Sequence, residues 1–395
     1  MFKKKSPINK IQIDWSKVLM VNLFFLKNTK SLLKNYVLLA TDFFSVIFSG
    51  LFIRKFEVRE SGKRLNLYMR THDRNDISKF SSFFEEVLSD SVIIYFRKKN
   101  FDFKPIFFIK TLSFVFVQSK KIRNFIDISG IRPTYSRYTL WLSAFSAANT
   151  FFRLQPYITE IETVISFQEM QSEENLVIQI ANSLSIRTIG LQHGIYRDEG
   201  PELEIDIKMI GKTSYLASVC NEIFVWGEYT ACIFKKYTTA NISVIGRPGL
   251  FPLENQPGCI IIFDNNEETN AKLEKIALDL EEMMIKVSRW YHPTGKRPIG
   301  KAIQDGPARY NVIGFRSSIL AEMGRLGLRV FLLKGSAFQE HITNQIIVSD
   351  AKSIMKCLLP EFEYPHIAWN YFIEYYNKEC LEIFVKKIND LSYTK

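Results

Sequence analysis

Beyond residue 60 the chain alternates short apolar runs with stretches of helical periodicity, as parallel strands and covering helices require. Leu65–Arg70 reads as a strand, Ile77–Leu88 as an amphipathic helix and Val92–Phe96 as a strand. The same alternation returns in the strand Thr163–Phe167, the helix Glu174–Leu184 and the strand Arg187–Gln192. It continues with the strand Glu222–Trp226, the helix Tyr229–Tyr237 and the strand Ile242–Ile245. Periodicity then lapses from Gly246 to Gly258, where Pro248, Pro252 and Pro257 stand among glycines, the composition of a linker.

A second unit opens with the strand Cys259–Phe263 and the helix Lys272–Ile285, followed by the strands Ser288–Tyr291 and Tyr310–Ile313. The helix Ile319–Leu326 and the strand Arg329–Leu333 complete a βαβ step, and His366–Leu391 reads as one or two closing helices. The resulting expectation is a basic segment 1–60, a Rossmann-like domain over 61–250, a second over 259–365 and a helical tail over 366–395. A length of 395 residues suits two α/β cores better than one.

Composition adds location more than chemistry. Of a net charge of +11, residues 1–55 hold +8, from ten lysines and arginines against Asp14 and Asp42. The remaining body is close to neutral. Such a basic, aromatic-rich end is attracted to an anionic membrane surface, at roughly 1 kcal/mol per basic residue near the headgroups. No RRM, helix-turn-helix or finger pattern supports nucleic acid as the partner. Val37–Ile53 approaches the length of a membrane span, but Asp42 lies inside it and costs about 2.5–3.5 kcal/mol on insertion. A buried or interfacial helix is the expectation there. The five cysteines are scattered without a CxxC pair, pointing to reduced thiols and a cytoplasmic setting.

The polar residues of interest follow strands. Gln192-His193-Gly194 ends one, and Tyr196-Arg197-Asp198-Glu199-Gly200 comes directly after. Either acid can act as a general base toward a sugar hydroxyl if burial raises its pKa; an acidic surface turn closed by Gly200 is the plain alternative. His292-Pro293 follows the strand Ser288–Tyr291, with Lys296 and Arg297 beyond, a grouping suited to a phosphate leaving group or simply to a capped loop. Gly314-Phe315-Arg316-Ser317-Ser318 leads into a helix, where hydroxyls and free N–H groups hold an anion or cap the helix. Glu322, one turn on, can reach a donor ribose or face solvent. Arg247 at the domain junction and Asn265 in Asp264-Asn265-Asn266 are further candidates, each with a hinge or capping role as the alternative. His72, His341 and His366 have no partner at a useful spacing, and no HExxH, Walker A, GxGxxG or GxSxG signature occurs.

In order and placement, Asp198-Glu199-Gly200, His292-Pro293 and Ser317-Ser318 resemble the motifs of bacterial GT-B sialyltransferases, including the polysialyl- and lipooligosaccharide sialyltransferases. The resemblance spans about residues 160–335. It implies an α/β GT-B-like fold, two Rossmann-like domains with parallel sheets facing across a cleft. It also implies an inverting transfer from a CMP-activated sialic acid or related nonulosonate to a surface polysaccharide or glycolipid, without a metal. Asp198 or Glu199 would be the base; His292, Pro293, Ser317 and Ser318 would hold the cytidine monophosphate part. The residues' own placement, apart from the resemblance, adds Gly314, Glu322 and Asn265 as donor-side candidates and Gln192, His193, Gly194 and Arg247 as other candidates of the cleft. Gln192-His193-Gly194 looks more like Kdo transferases and glycerol- or ribitol-phosphate transferases, which also take cytidine-activated donors. A non-catalytic membrane-associated scaffold is the expectation of another class. The enzyme readings place the chain peripherally on the inner face of the cell membrane.

Overall fold

The computed structural model describes residues 11–27, 52–54, 65–70, 82–84, 86–88, 92–95, 101–103, 105–130, 134–158, 161–167, 171–192, 194, 218–249, 259–263, 267–291, 311–315, 317, 319–336, 338, 342, 344–359 and 361–390. In chain order the elements are α1 (Trp15–Lys27), β1 (Phe52–Arg54), β2 (Leu65–Arg70), β3 (Val92–Tyr95), β4 (Phe101–Phe103), α2 (Pro105–Ile128) and α3 (Thr134–Ile158). Next come β5 (Ile161–Ser166), α4 (Ser172–Ser183), β6 (Arg187–Leu191), β7 (Glu222–Val225), α5 (Glu228–Tyr237) and β8 (Asn241–Val244). The second half holds β9 (Cys259–Ile262), α6 (Glu267–Glu282), β10 (Val287–Trp290), β11 (Asn311–Gly314), α7 (Ile319–Arg325) and β12 (Arg329–Leu333). β13 (Ile347–Val348), α8 (Ala351–Leu358) and α9 (Asn377–Asn389) close the chain.

Two wholly parallel sheets carry the fold, so the expected α/β class with two Rossmann-like domains stands. The first runs in the order β3-β2-β5-β6-β7-β8 and the second β10-β9-β11-β12-β13; β1 and β4 form a separate antiparallel pair. Burial explains the strands' composition. β6, β7 and β9 are buried at every position; covered on both faces, β9 is an unbroken apolar run, while β6 and β7 are apolar after starts at Arg187-Thr188 and Glu222.

In both sheets the order reverses after the first two strands. Chain growth goes one way from β2 to β3 and the other way from β5 onward; likewise from β9 to β10 and from β11 onward. With right-handed crossovers, the helices after the reversal lie on the opposite face from the helix before it. α6, before the reversal, packs with α8, which follows the last strand β13 and makes no crossover, while α7, after the reversal, packs on the turn Trp369–Tyr371.

Several elements lie outside the sequence expectation. α2 and α3 are long antiparallel helices in a stretch whose periodicity predicts nothing, and β13 and α8 extend the second sheet. α1 lies within the 1–60 segment, yet Trp15, Val18 and Leu19 are buried and the helix packs on α3 and α4. Gln179 of α4 holds its start, accepting from the Asp14 N–H (2.8 Å) and donating to the Asp14 carbonyl (3.1 Å). Of Val37–Ile53, only Phe52 and Ile53 are described, and they belong to β1, not to a helix. No helix among the described residues is long and apolar enough to cross a membrane.

The tail returns to the first domain. Phe384 of α9 packs against Phe84 and Phe224, with ring centroids 4.6 and 6.1 Å apart. Before α9, the strap Trp369–Tyr376 touches both domains. Arg325 of α7 donates to the carbonyls of Ile373 and Glu374 (both 2.9 Å), and the Glu374 N–H donates to the Trp226 carbonyl (2.9 Å). Gly246, at φ +85°, accommodates this strap: a β-carbon there would stand 2.1 Å from the Tyr375 carbonyl oxygen.

α8 shows how local sequence fixes a helix start. Asp350 accepts from the Ser353 N–H (2.7 Å), while the Asp350 N–H donates to the Ser353 hydroxyl (3.1 Å), a reciprocal cap. The backbone bond from Ser353, more than the neighbouring hydroxyl and Lys352, holds the Asp350 carboxyl below its ordinary pKa. A depressed carboxylate contributes stability above its unfolded pKa and loses it as pH falls through the folded value. Asp350→Ala should therefore lower the melting temperature by a few degrees at most near neutral pH. The deficit should shrink as pH falls below the carboxylate range, which a pH series of thermal melts would check.

Candidate functional site

Ligands of doubly wound sheets bind beyond the carboxyl ends of the strands, at the point where the order reverses. In the second sheet that point lies between β9 and β11. The residues that leave those strands are Phe263, followed in sequence by Asp264-Asn265-Asn266, and Phe315-Arg316-Ser317-Ser318. Two of the sequence-selected motifs thus follow the strands that flank the reversal. In the first sheet the reversal lies between β2 and β5, away from Gln192.

His193, Asp198, Glu199, Asn265, His292, Pro293 and Ser318 lie outside the described residues. The other candidates have definite places. Gly314 ends β11, and a β-carbon on it would meet the Leu320 side chain at 2.8 Å and Ile262 at 3.3 Å. Tight helix-to-strand packing is therefore enough to account for this glycine. Ser317 stands just before α7, where its carbonyl accepts from the Leu320 N–H (3.1 Å) and its hydroxyl lies 3.4 Å from the Ile319 N–H. That is the capping alternative, realised on a helix of two turns.

Gln192, buried at the end of β6, is an internal clamp. Its amide donates to the Gly194 carbonyl (2.7 Å) and the Thr230 hydroxyl (3.1 Å), and its side-chain oxygen accepts from the Trp226 N–H (2.6 Å). The Gln192 carbonyl also accepts from the indole N–H of Trp226 (3.1 Å). Both amide hydrogens are committed, so Gln192 shapes the turn through Gly194 and fixes Trp226 without offering a donor to a ligand.

Trp226 in turn supports Arg247, whose guanidinium carbon lies 5.1 Å from the ring centre. Arg247 reaches Glu322 of α7 at 3.0 Å, with their side chains only 15% and 12% exposed. This pair joins the carboxyl end of β8 in the first domain to the first turn of α7, at the carboxyl end of β11 in the second. Burial pushes the Arg247 pKa down and Glu322 opposes that shift. Glu322 is neither solvent-facing nor spare: its carboxylate is engaged across the domain junction. The backbone of Arg247 is tied as well, donating to the Tyr375 carbonyl (2.9 Å) and accepting from the Asn377 N–H (3.2 Å).

Sequence reasoning passed over three features here. Trp226 has a visible signal, a tryptophan leaving a strand. The buried Glu174, in the first turn of α4, accepts from Ser166 at the end of β5, by the reversal of the first sheet. Its place among the acids of a helix start gives no hint of burial. The third is a pocket of about 470 Å³ lined by Phe263, Asn270, Ala271, Glu274, Arg289 and Tyr291. Phe263 and Tyr291 form its aromatic wall, stacked at 4.7 Å and 24°. Arg289 pairs with Glu274 (2.9 Å) and grips Glu281 with two bonds (2.6 and 2.9 Å), which hold the Glu281 carboxyl below its usual range. The Arg289 charge is thus compensated by two carboxylates of the protein itself. Sequence continues from Tyr291 straight into His292-Pro293.

No protein-family model and no curated protein matches the chain. Among solved structures, UDP-N-acetylglucosamine 2-epimerase from Rickettsia bellii superposes with a TM-score of 0.42 and 12% identity, covering 84% of this chain and 96% of the other. A Listeria monocytogenes protein described as a UDP-N-acetylglucosamine 2-epimerase gives 0.45 and 9%, covering 83% and 96%.

Proposed function

We propose that the chain is a glycosyltransferase that takes a CMP-activated sugar, a sialic acid or related nonulosonate, and passes it to a polysaccharide or glycolipid acceptor. The observation that supports this reading most is the reversal of strand order between β9 and β11, because Asn265 and the Ser317-Ser318 pair follow those two strands directly. The Arg247–Glu322 contact supports the reading further, because it ties the residues that follow β8 in the first sheet to the first turn of α7, which follows β11.

In the proposed mechanism, Asp198 or Glu199 takes the proton from the acceptor hydroxyl as its oxygen attacks the anomeric carbon. The bond to the CMP phosphate oxygen breaks through an oxocarbenium-like state, and the anomeric configuration inverts. His292, Ser317 and Ser318 donate to the phosphate as charge gathers there, so protein groups carry the neutralisation in place of a metal. The pocket with the Phe263–Tyr291 wall offers a flat surface beside this region. A CDP-glycerol or CDP-ribitol phosphotransferase, or a Kdo transferase, is the second reading. It is favoured by the sequence Gln192-His193-Gly194 after β6, of which Gln192 donates to the Gly194 carbonyl.

Titration calorimetry with CMP, CDP, UDP and GDP tests the proposal. Binding of CMP at least about tenfold tighter than of UDP is expected. Preference for CDP would move the assignment to the polyol phosphotransferases. Preference for UDP would overturn both, and binding of none would leave a scaffold.

A further inference from the structure

α2 presents a face that a surface helix of a globular domain should not have. Its buried side holds Thr111, Phe114, Gln118, Ile122, Phe125 and Ile126, against α3 and α1. At 3.6 residues per turn, the opposite side carries Ile106, Ile109, Leu112, Phe116 and Val117 over the first half of the helix. All five are exposed, from 47% at Leu112 to 79% at Phe116. The second half of that side turns basic, with exposed Lys120, Lys121 and Arg123. Lys110 lies among the apolar residues, with its ammonium 5.8 Å from the centre of the Phe107 ring, so its stem runs along apolar surface. The acid of the helix, Asp127, is paired with Arg137 of α3.

An exposed apolar patch of this size marks an interaction surface, and its charge decides among occupants. A second copy packed antiparallel along the full length of α2 would set the basic half of one helix against the apolar half of the other. That would desolvate lysines without supplying acids. An anionic bilayer surface satisfies both halves at once: the apolar side chains enter the boundary between headgroups and acyl chains while the cations lie at the phosphates. The helix, 24 residues long, spans about 36 Å at 1.5 Å per residue, ample for lying in the interface.

We propose that α2 is a membrane-docking helix, lying flat on an anionic lipid surface through Ile109, Phe116 and their neighbours, with Lys120, Lys121 and Arg123 on the lipid phosphates. The inference is independent of the transferase reading. It also assigns the contact to an element other than the basic residues 1–55.

Co-sedimentation of the full chain with vesicles of phosphatidylcholine plus phosphatidylglycerol, and with phosphatidylcholine alone, tests it. The chain should bind the mixed vesicles, weakly or not at all the neutral ones, and release with added salt. Ile109→Glu/Phe116→Glu and Lys120→Glu/Lys121→Glu/Arg123→Glu should each bind at least about tenfold more weakly, with thermal melts matching the parent. A third variant, Phe116→Trp, should shift its emission to the blue on mixed vesicles and be quenched by brominated lipid. The proposal falls if the parent ignores phosphatidylglycerol, if both charged variants bind like the parent, or if the added tryptophan gives no shift. It falls also if the parent sediments as a dimer that Ile109→Glu/Phe116→Glu converts to monomer, since the face would then belong to a second copy.

Discussion

Asp198→Asn and Glu199→Gln, made separately, are expected to lower kcat for sugar transfer by about 10²–10⁴-fold at the acid that serves as base, and far less at the other. The amides keep shape and hydrogen-bonding capacity but cannot take a proton. The donor KM should change little, because the base acts on the acceptor oxygen and not on the nucleotide. His292→Ala should show a different pattern. In the proposed mechanism it would remove a donor to the departing phosphate, so transfer and slow hydrolysis of the donor by water should fall together, as removal of a transition-state interaction requires. Steady-state kinetics on both activities, with melting temperatures alongside, would check all three variants. Full transfer by both acid variants would remove the acid pair from the mechanism. Equal losses in kcat at the two acids would mean that they act as a unit and not as a base with a bystander.

How much of this was readable beforehand differs by element, for physical reasons. β9 was legible because a parallel strand buried on both faces writes itself as a short apolar run, and β5 and β6 because short apolar stretches flank helical periodicity even with polar residues among them. α2 was not, because its burial contradicts its composition: Thr111 and Gln118 lie inside while Ile109 and Phe116 lie outside. A periodicity argument sees no contrast there. The return of α9 was hidden because it depends on contacts such as Phe84 with Phe384, far apart in sequence. Polar residues at strand ends were easy to notice and hard to assign. Gln192 is a clamp on Trp226, Glu322 is the partner of Arg247, and Gly314 makes room for Leu320. In each case the residue stands by the expected region but its immediate partner is another part of the protein, which residue type and spacing do not reveal.

The largest loss of stability is expected from Arg187→Ala, about 3–5 kcal/mol, at the end of the first sheet remote from the candidate site. Arg187 begins β6 and Glu222 begins β7, and their side chains are only 5% and 7% exposed. The guanidinium grips both carboxylate oxygens, at 2.6 and 2.8 Å, and donates to the carbonyls of Ile388 (2.9 Å) and Lys387 (3.0 Å) at the end of α9. One side chain thus joins two strands and anchors the returning helix by carbonyls that have no partner within it. Alanine leaves a buried carboxylate without its cation and two helix-terminal carbonyls without a donor. Against a total stability of about 5–15 kcal/mol for a domain, that is a large share, read directly as a lower urea midpoint. Arg187→Lys should lose less, because it keeps the charge but lacks the planar fork. Arg187→Met combined with Glu222→Leu should recover most of the deficit, since no charge is then left buried. Nucleotide affinity should stay unchanged in variants that remain folded. A cost below about 1 kcal/mol for Arg187→Ala would mean that the aromatic contacts of Phe384, and not this ion pair, hold α9 in place.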